Sequence, residues 1–155
     1  MKLVIQCVNR GSVDVVDEQT GERRRTGEIG RGYVVLLGIG EGDTEEMADR
    51  FLDKLYKLRV FPDENGKTNC SLEQVDGSVL VVSQFTLYAD CRKGNRPSFT
   101  KAGNPELAES LYEYFLEGVK KRFGSVQAGE FGAYMLVDLE NDGPFTLVWD
   151  SRDWE

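Results

Sequence analysis

The chain has no histidine among its 155 residues. That absence excludes Ser-His-Asp and Cys-His hydrolases, histidine-ligated zinc and any imidazole proton shuttle. Cysteine is scarce: Cys7, Cys70 and Cys91 are an odd number with no Cys-x-x-Cys spacing. The pattern argues against a disulfide framework or a cysteine-only zinc site, and the expected setting is a reducing cytoplasm. Long apolar runs are missing too. The longest covers residues 33–37 and extends through glycines to Gly40, far short of the roughly 18–20 residues of a membrane helix. The opening residues turn polar at Gln6, so no signal-peptide core is expected. Positive charge is in deficit, with 19 Lys and Arg against 27 Asp and Glu, a net charge of -8. A field of that sign repels nucleic acid, so an RNA contact requires a local basic patch. Neither a membrane nor DNA is an expected partner.

What is present fits one soluble domain over residues 1–155, with 40% hydrophobic and 10% aromatic residues. One basic patch stands out. Arg92, Lys93, Arg96 and Lys101 face a single acid, Asp90, within residues 90–101. The run Arg23-Arg24-Arg25 lies near a hairpin tip or on its returning strand. It reads as a solvated charge run or as an RNA phosphate contact.

Residues 3–8 and 12–17 are rich in β-branched side chains and read as two strands. Residues 33–39 read as a central strand covered on both faces. The glycines at 38, 40 and 42 imitate a nucleotide loop, but Asp43 stands where a third glycine belongs. Asp43 reads instead as an N-cap, with Glu46 completing a capping box. Met47, Phe51, Leu55 and Leu58 then mark an amphipathic helix over residues 44–57. A short strand at 59–61 meets a turn, and residues 79–88 read as a second buried strand. Asn104-Pro105-Glu106 starts another helix, Leu107, Leu111, Phe115 and Val119 line it, and Gly124 stops it. Strands at 126–131, 134–139 and 145–149 complete an α+β order. The expected fold is a three-layer β/β/α arrangement of mixed, mostly antiparallel sheet with two main helices on one face.

Four constellations are left for chemistry. Ser83, Gln84 and Thr86 are polar inside an otherwise apolar strand, so they need partners or a purpose. They either satisfy backbone at a strand bend or build a site. Asn141-Asp142-Gly143-Pro144 is a tight turn that local statistics leave trans. Cys91 lies beside Arg92 and Lys93, which favour a thiolate, but no base accompanies it. Asp138, Glu140 and Asp142 alternate as on the solvent face of a strand.

Taken together, these segments resemble one family. Ser83-Gln84-Phe85-Thr86-Leu87-Tyr88, continuing to Lys93-Gly94-Asn95-Arg96-Pro97-Ser98-Phe99, resembles the signature of the bacterial and eukaryotic D-aminoacyl-tRNA deacylases. Asn141-Asp142-Gly143-Pro144-Phe145-Thr146 is similar to their second motif, which contains a Gly-cisPro bond. Residues 6–13, 27–30, 42–46 and 66–69 fall in register as well. Ala89, Gly11 and Thr68 depart from the usual Gly, Ala and Met, and residues 18–26 look longer and more basic than usual.

The resemblance implies hydrolysis of the ester joining a D-amino acid, or glycine, to the terminal ribose of tRNA, with L-amino acids rejected. It implies no metal and no cofactor. An aminoacyl ester is already activated, so the requirements are a held ester, a placed water and backbone N–H groups facing the oxyanion. The neighbouring ribose 2′-OH orients or activates the water. Phe85 and Thr86 are the implied catalytic pair through their amides; Thr86 as a nucleophile lacks a visible base. Ser83 and Gln84 shape the pocket, and Phe131 and Met135 line its adenosine side. Gly143 and Pro144 enter from a partner subunit as a wall against L side chains, which makes the protein a homodimer with shared sites. Arg92, Lys93 and Arg96 contact the acceptor end. The alternatives are a non-catalytic RNA-end or small-molecule binding module, and a cysteine hydrolase using Cys91.

Overall fold

A computed structural model of the protein describes residues 1–154. Strand β1 (Lys2–Val16) organises it. Its first half pairs antiparallel with β3 (Gly32–Gly38), its second half with β2 (Arg23–Ile29), and its whole length with β8 (Met135–Asp150). Strand β6 (Ser78–Ser83) runs parallel to β3, and the two-residue β7 (Gln127–Ala128) runs parallel to β6. Between β3 and β6 lie helix α1 (Glu45–Lys57) and a two-stranded ribbon of β4 (Arg59–Pro62) and β5 (Thr68–Ser71). Helix α2 (Pro105–Phe123) connects β6 to β7.

The two strands expected at 3–8 and 12–17 are one strand. The polar residues Asn9 and Arg10 suggest a break, yet the backbone stays paired to β8 through register shifts on either side of Val8. There β1 bends, and its two halves face each other across Val8, Val13, Ile29, Val34, Leu80 and Val82. A Cβ on Gly27 would lie 3.0 Å from the backbone of Ala128, so only glycine lets β2 approach β7 this closely. The outcome is two β layers with a small core between them. The third layer is α1 and α2, packed on the other face of β1, β3 and β6. Leu3, Ile5, Tyr33, Val35, Leu37 and Val81 meet Phe51, Leu52, Leu55, Leu111 and Phe115 there, all buried. Full burial of each such side chain contributes about 1.5–3 kcal/mol.

The helix ends follow local chemistry with one change. Thr44, not Asp43, caps α1 by accepting from the Met47 N–H. Asp43 is buried and engaged elsewhere: one carboxylate oxygen accepts from the Met1 amino group, the other from the Gly40 N–H at 2.7 Å. Asn104 caps α2 and Gly124 ends it in the left-handed conformation. The strand expected at 126–131 is reduced to β7, and those at 134–139 and 145–149 are parts of the single long β8. Among the described residues, no helix is long and apolar enough to cross a membrane.

Candidate active site

The strand expected at 79–88 ends at Ser83, which pairs with Leu37 at the last rung of the β3–β6 ladder. The Gln84 N–H still donates to the Leu37 carbonyl at 2.8 Å, and the chain then coils into a short 3-10 helix, Phe85–Tyr88. Gly38 permits this. A Cβ there would meet Leu87 Cβ at 3.0 Å and the Gln84 carbonyl at 3.1 Å, so the helix lies directly on the end of β3. The Gln84 side-chain amide donates to Thr86 Oγ1 at 2.5 Å, which gives both polar side chains a partner. Phe85 and Thr86 open the short helix, and their N–H groups have no acceptor among the described residues. Two adjacent backbone donors therefore face outward beside an exposed aromatic ring. Phe85 is 57% exposed and meets Phe99 edge-on, with centroids 5.0 Å apart.

The loop after the short helix returns on itself. Asp90 and Ser98 exchange backbone hydrogen bonds of 2.8 and 2.9 Å. Arg92 folds back onto Asp90 with a bidentate grip, and that guanidinium holds the Asp90 carboxyl well below the usual range. Lys93 and Arg96 are exposed and have no ion-pair partner among the described residues. Phe131 follows β7. The Gly129 N–H extends the β6–β7 pairing to the Val81 carbonyl at 3.1 Å, and the chain then leaves the strand for a turn. Phe131 packs on Tyr112 at 5.8 Å, and the Tyr112 hydroxyl donates to the Gly129 carbonyl at 3.1 Å. Met135 packs against Gly129 and the small core between the β layers.

The second motif lies elsewhere. Gln6 pairs with Thr146 and Val8 with Asn141, so residues 142–145 are extruded from β8 opposite Cys7. The Gly143–Pro144 peptide is cis, and both residues are exposed. Asn141 staples the turn: its Oδ1 accepts from the Phe145 N–H at 2.6 Å, and its Nδ2 donates to Thr146 Oγ1 at 2.9 Å. Sequence reasoning included Asn141 in the motif but missed this role. Ser83 stands at the Leu37 end of β3, while the turn stands near its Tyr33 end, three strands away. Strand rise and spacing put the two about 20 Å apart within one chain. The first motif and the cationic loop meet through Phe85 and Phe99, while Phe131 packs on Tyr112, and Gly143 and Pro144 lie elsewhere.

The rival constellations fare differently. Asp138 and Glu140 lie 2.9 and 4.0 Å from Arg10, an exposed ion-pair group on the strand face. Cys91 is exposed. Arg24 pairs with Glu130 at 3.1 Å, and Arg25 with Asp14 at 2.8 Å, so this arginine run is largely neutralised by its own acids.

The family model for D-Tyr-tRNA(Tyr) deacylase matches residues 4–150. The chain belongs to the D-Tyr-tRNA(Tyr) deacylase family. Curated relatives span its whole length. The D-aminoacyl-tRNA deacylase of Bifidobacterium adolescentis is 52% identical and covers 99% of this chain and 98% of its own. That of Thermosipho melanesiensis is 49% identical, with 98% of each chain covered. Among solved structures, a c-Myc DNA unwinding element binding protein superposes with a TM-score of 0.85 at 43% identity, covering 97% of this chain and 98% of that one. A probable eukaryotic D-amino acid tRNA deacylase shares the fold, with a TM-score of 0.79 at 18% identity, covering 96% and 97%. The matched region, residues 4–150, spans both long motifs.

Proposed function

We propose that this chain hydrolyses the ester of D-aminoacyl-tRNA, releasing the free D-amino acid and tRNA, and that it also removes glycine from mischarged tRNA. The observation that carries the reading is the pair of unpartnered N–H groups of Phe85 and Thr86 at the end of a buried strand. In a family of ester hydrolases they suit a developing oxyanion, and removing one such donor typically costs about 2.7–4 kcal/mol of transition-state stabilisation. Water adds to the ester carbonyl and forms a tetrahedral oxyanion facing these donors. Collapse breaks the bond to the ribose oxygen, which takes up a proton as the amino acid leaves. The 2′-OH beside the ester orients the water, so the protein supplies geometry and no imidazole. Thr86 Oγ1 accepts from the Gln84 amide, and among the described residues no carboxylate or amine hydrogen-bonds to it as a base would, which argues for the backbone and against a threonine nucleophile.

Gly143 and Pro144 select chirality in a second copy of the chain. The separation of about 20 Å rules out action on their own Ser83–Thr86 segment, and a two-fold exchange of identical turns completes two sites at once. An apolar site open to such a second copy supports this reading: Val148, paired with Val4 on β1, is 70% exposed. The wall of backbone at the substrate Cα excludes any L side chain and passes glycine. Lys93 and Arg96 hold the acceptor end, and the reaction is placed in the cytoplasm. The test is release of tyrosine from D-Tyr-tRNA and L-Tyr-tRNA by the purified protein. Fast release from the first and almost none from the second is expected; comparable rates would sink the assignment.

A further inference from the structure

A cavity of about 240 Å³ opens behind the short helix, lined by Lys2, Tyr88, Asp90, Arg92, Lys101 and Arg152 among others. Its cations come from the start of β1, the loop after the short helix and the segment after β8. Three of them are held in place. Arg92 grips Asp90, and Arg152 grips Asp150 at 2.6 Å. Lys2 Nζ lies 3.7 Å from Asp150, donates to the Leu87 carbonyl at 3.2 Å and sits 4.9 Å over the Tyr88 ring. Lys101 has no ion-pair partner among the described residues. Four cations against Asp90, Asp150 and, near Arg152, Asp153 still leave a positive surplus in a chain whose net charge is -8.

Guanidinium forks beside lysine point charges are the donor set that suits a phosphate. Because the pairs already fix Lys2, Arg92 and Arg152, little ordering cost remains on binding. Position supplies the rest. Tyr88 ends the same short helix that begins with Phe85 and Thr86, about 6 Å further along its axis. We infer that this cavity binds a phosphate, namely a backbone phosphate near the 3′ end of the tRNA whose ester lies at Phe85 and Thr86. The inference rests on the deacylase reading, and its test separates the two.

Two measurements are made on the full chain and on its Lys101→Ala and Arg152→Gln variants. The first is binding of deacylated tRNA as a function of salt, which needs no turnover. The second is hydrolysis of D-Tyr-tRNA beside D-tyrosyl-adenosine, an ester without a phosphate. Each variant should lower the salt slope of binding by about one. KM for D-Tyr-tRNA should rise several-fold while the rate on D-tyrosyl-adenosine stays unchanged. An unchanged slope in both variants overturns the inference, and so does an equal loss on both esters. Inorganic phosphate is the control for the other source. If it raises the Tm of the parent but not of Lys101→Ala while the tRNA slope stays fixed, the cavity serves free phosphate and the RNA assignment is overturned. A parent protein that cleaves neither ester removes the deacylase reading, and the salt slope still decides the cavity.

Discussion

Replacing Asn141 by Ala tests whether the extruded turn selects chirality through its side-chain staple. Two well-formed hydrogen bonds disappear, from the Phe145 N–H at 2.6 Å and to Thr146 Oγ1 at 2.9 Å. Phe145 is only half-buried, so water replaces part of the loss, and each bond contributes about 0.5–1 kcal/mol net. The sum is about 1–2 kcal/mol, which for a chain of this size lowers Tm by roughly 3–8 °C. The same energy bears on the turn's conformation. If the stapled form dominates because of these bonds, its advantage over looser forms falls by a factor of about 5–30. Rejection of L-Tyr-tRNA should weaken by up to that factor, while release from D-Tyr-tRNA changes less, because the Phe85 and Thr86 amides are untouched. Asn141→Asp keeps the acceptor for Phe145 and loses the donor to Thr146, so it should fall between. Thermal melts followed by circular dichroism, and the ratio of D to L deacylation rates, decide the matter. A fallen Tm with an unchanged D/L ratio would refute the reasoning: the staple would then hold the fold but not the selecting wall.

Thr86→Val should reduce kcat less than tenfold, since the hydroxyl only accepts from Gln84; a loss of 10³-fold or more in single-turnover assays would make Thr86 the nucleophile. Changing both Lys93 and Arg96 to Ala should raise KM for D-Tyr-tRNA more than it lowers kcat, and an unchanged KM would make the loop purely structural. Val148→Asp should shift the protein from dimer to monomer in sedimentation and abolish activity; an active monomer would contradict the shared site. Burial pushes the Cys7 thiol from 9.0 up to about 11. The unfolded chain then loses this proton first, so stability should fall as pH rises from about 9 to 11. Cys7→Ala should flatten that part of the urea-denaturation profile, and an unaltered slope would assign it to other groups.

The parts of the fold that local chemistry decides were legible in the sequence. Asn104, Pro105 and Gly124 bracket α2, and the stripe of Phe51 and Leu55 marks the buried face of α1. The misreadings have long-range causes. Asp43 is as good a cap as Thr44, but a buried amino group from the start of the chain takes its carboxylate. Asn9 and Arg10 look like a break, yet their outward side chains cost a bent strand nothing while β8 supplies pairing. Phe85 and Leu87 continue an apolar pattern past Ser83, which hid the end of β6; the glycine that admits the short helix lies on another strand. Thr68–Ser71 carries too few apolar residues to announce a strand. The Arg24 partner, Glu130, is 106 residues away, beyond any local reading of charge. Within the candidate site, the motif residues were legible as a group. Their division between opposite ends of the sheet was not, because it depends on the register of four strands.

The charge distribution bears on how an acidic protein can serve an RNA substrate. Arg10, Arg24, Arg25 and Arg122 are all held by the protein's own acids, away from the candidate site. The cations without a carboxylate among the described residues include Lys93, Arg96 and Lys101, which lie on the loop that follows Phe85–Tyr88. The net charge repels a polyanion at long range, while on the proposed reading this loop attracts it locally. At 0.1 M salt the Debye length of about 10 Å screens the distant repulsion, while contacts within a few ångströms persist. On the proposed reading, binding energy is concentrated at the acceptor end, where the ester is. Such a complex should be weak, with little to hold the product once the ester is broken. A uniformly basic protein would bind every tRNA along its length and release it slowly. On the proposed reading, the net charge of -8 would work as a specificity device, limiting the encounter to the part of the RNA that carries the chemistry.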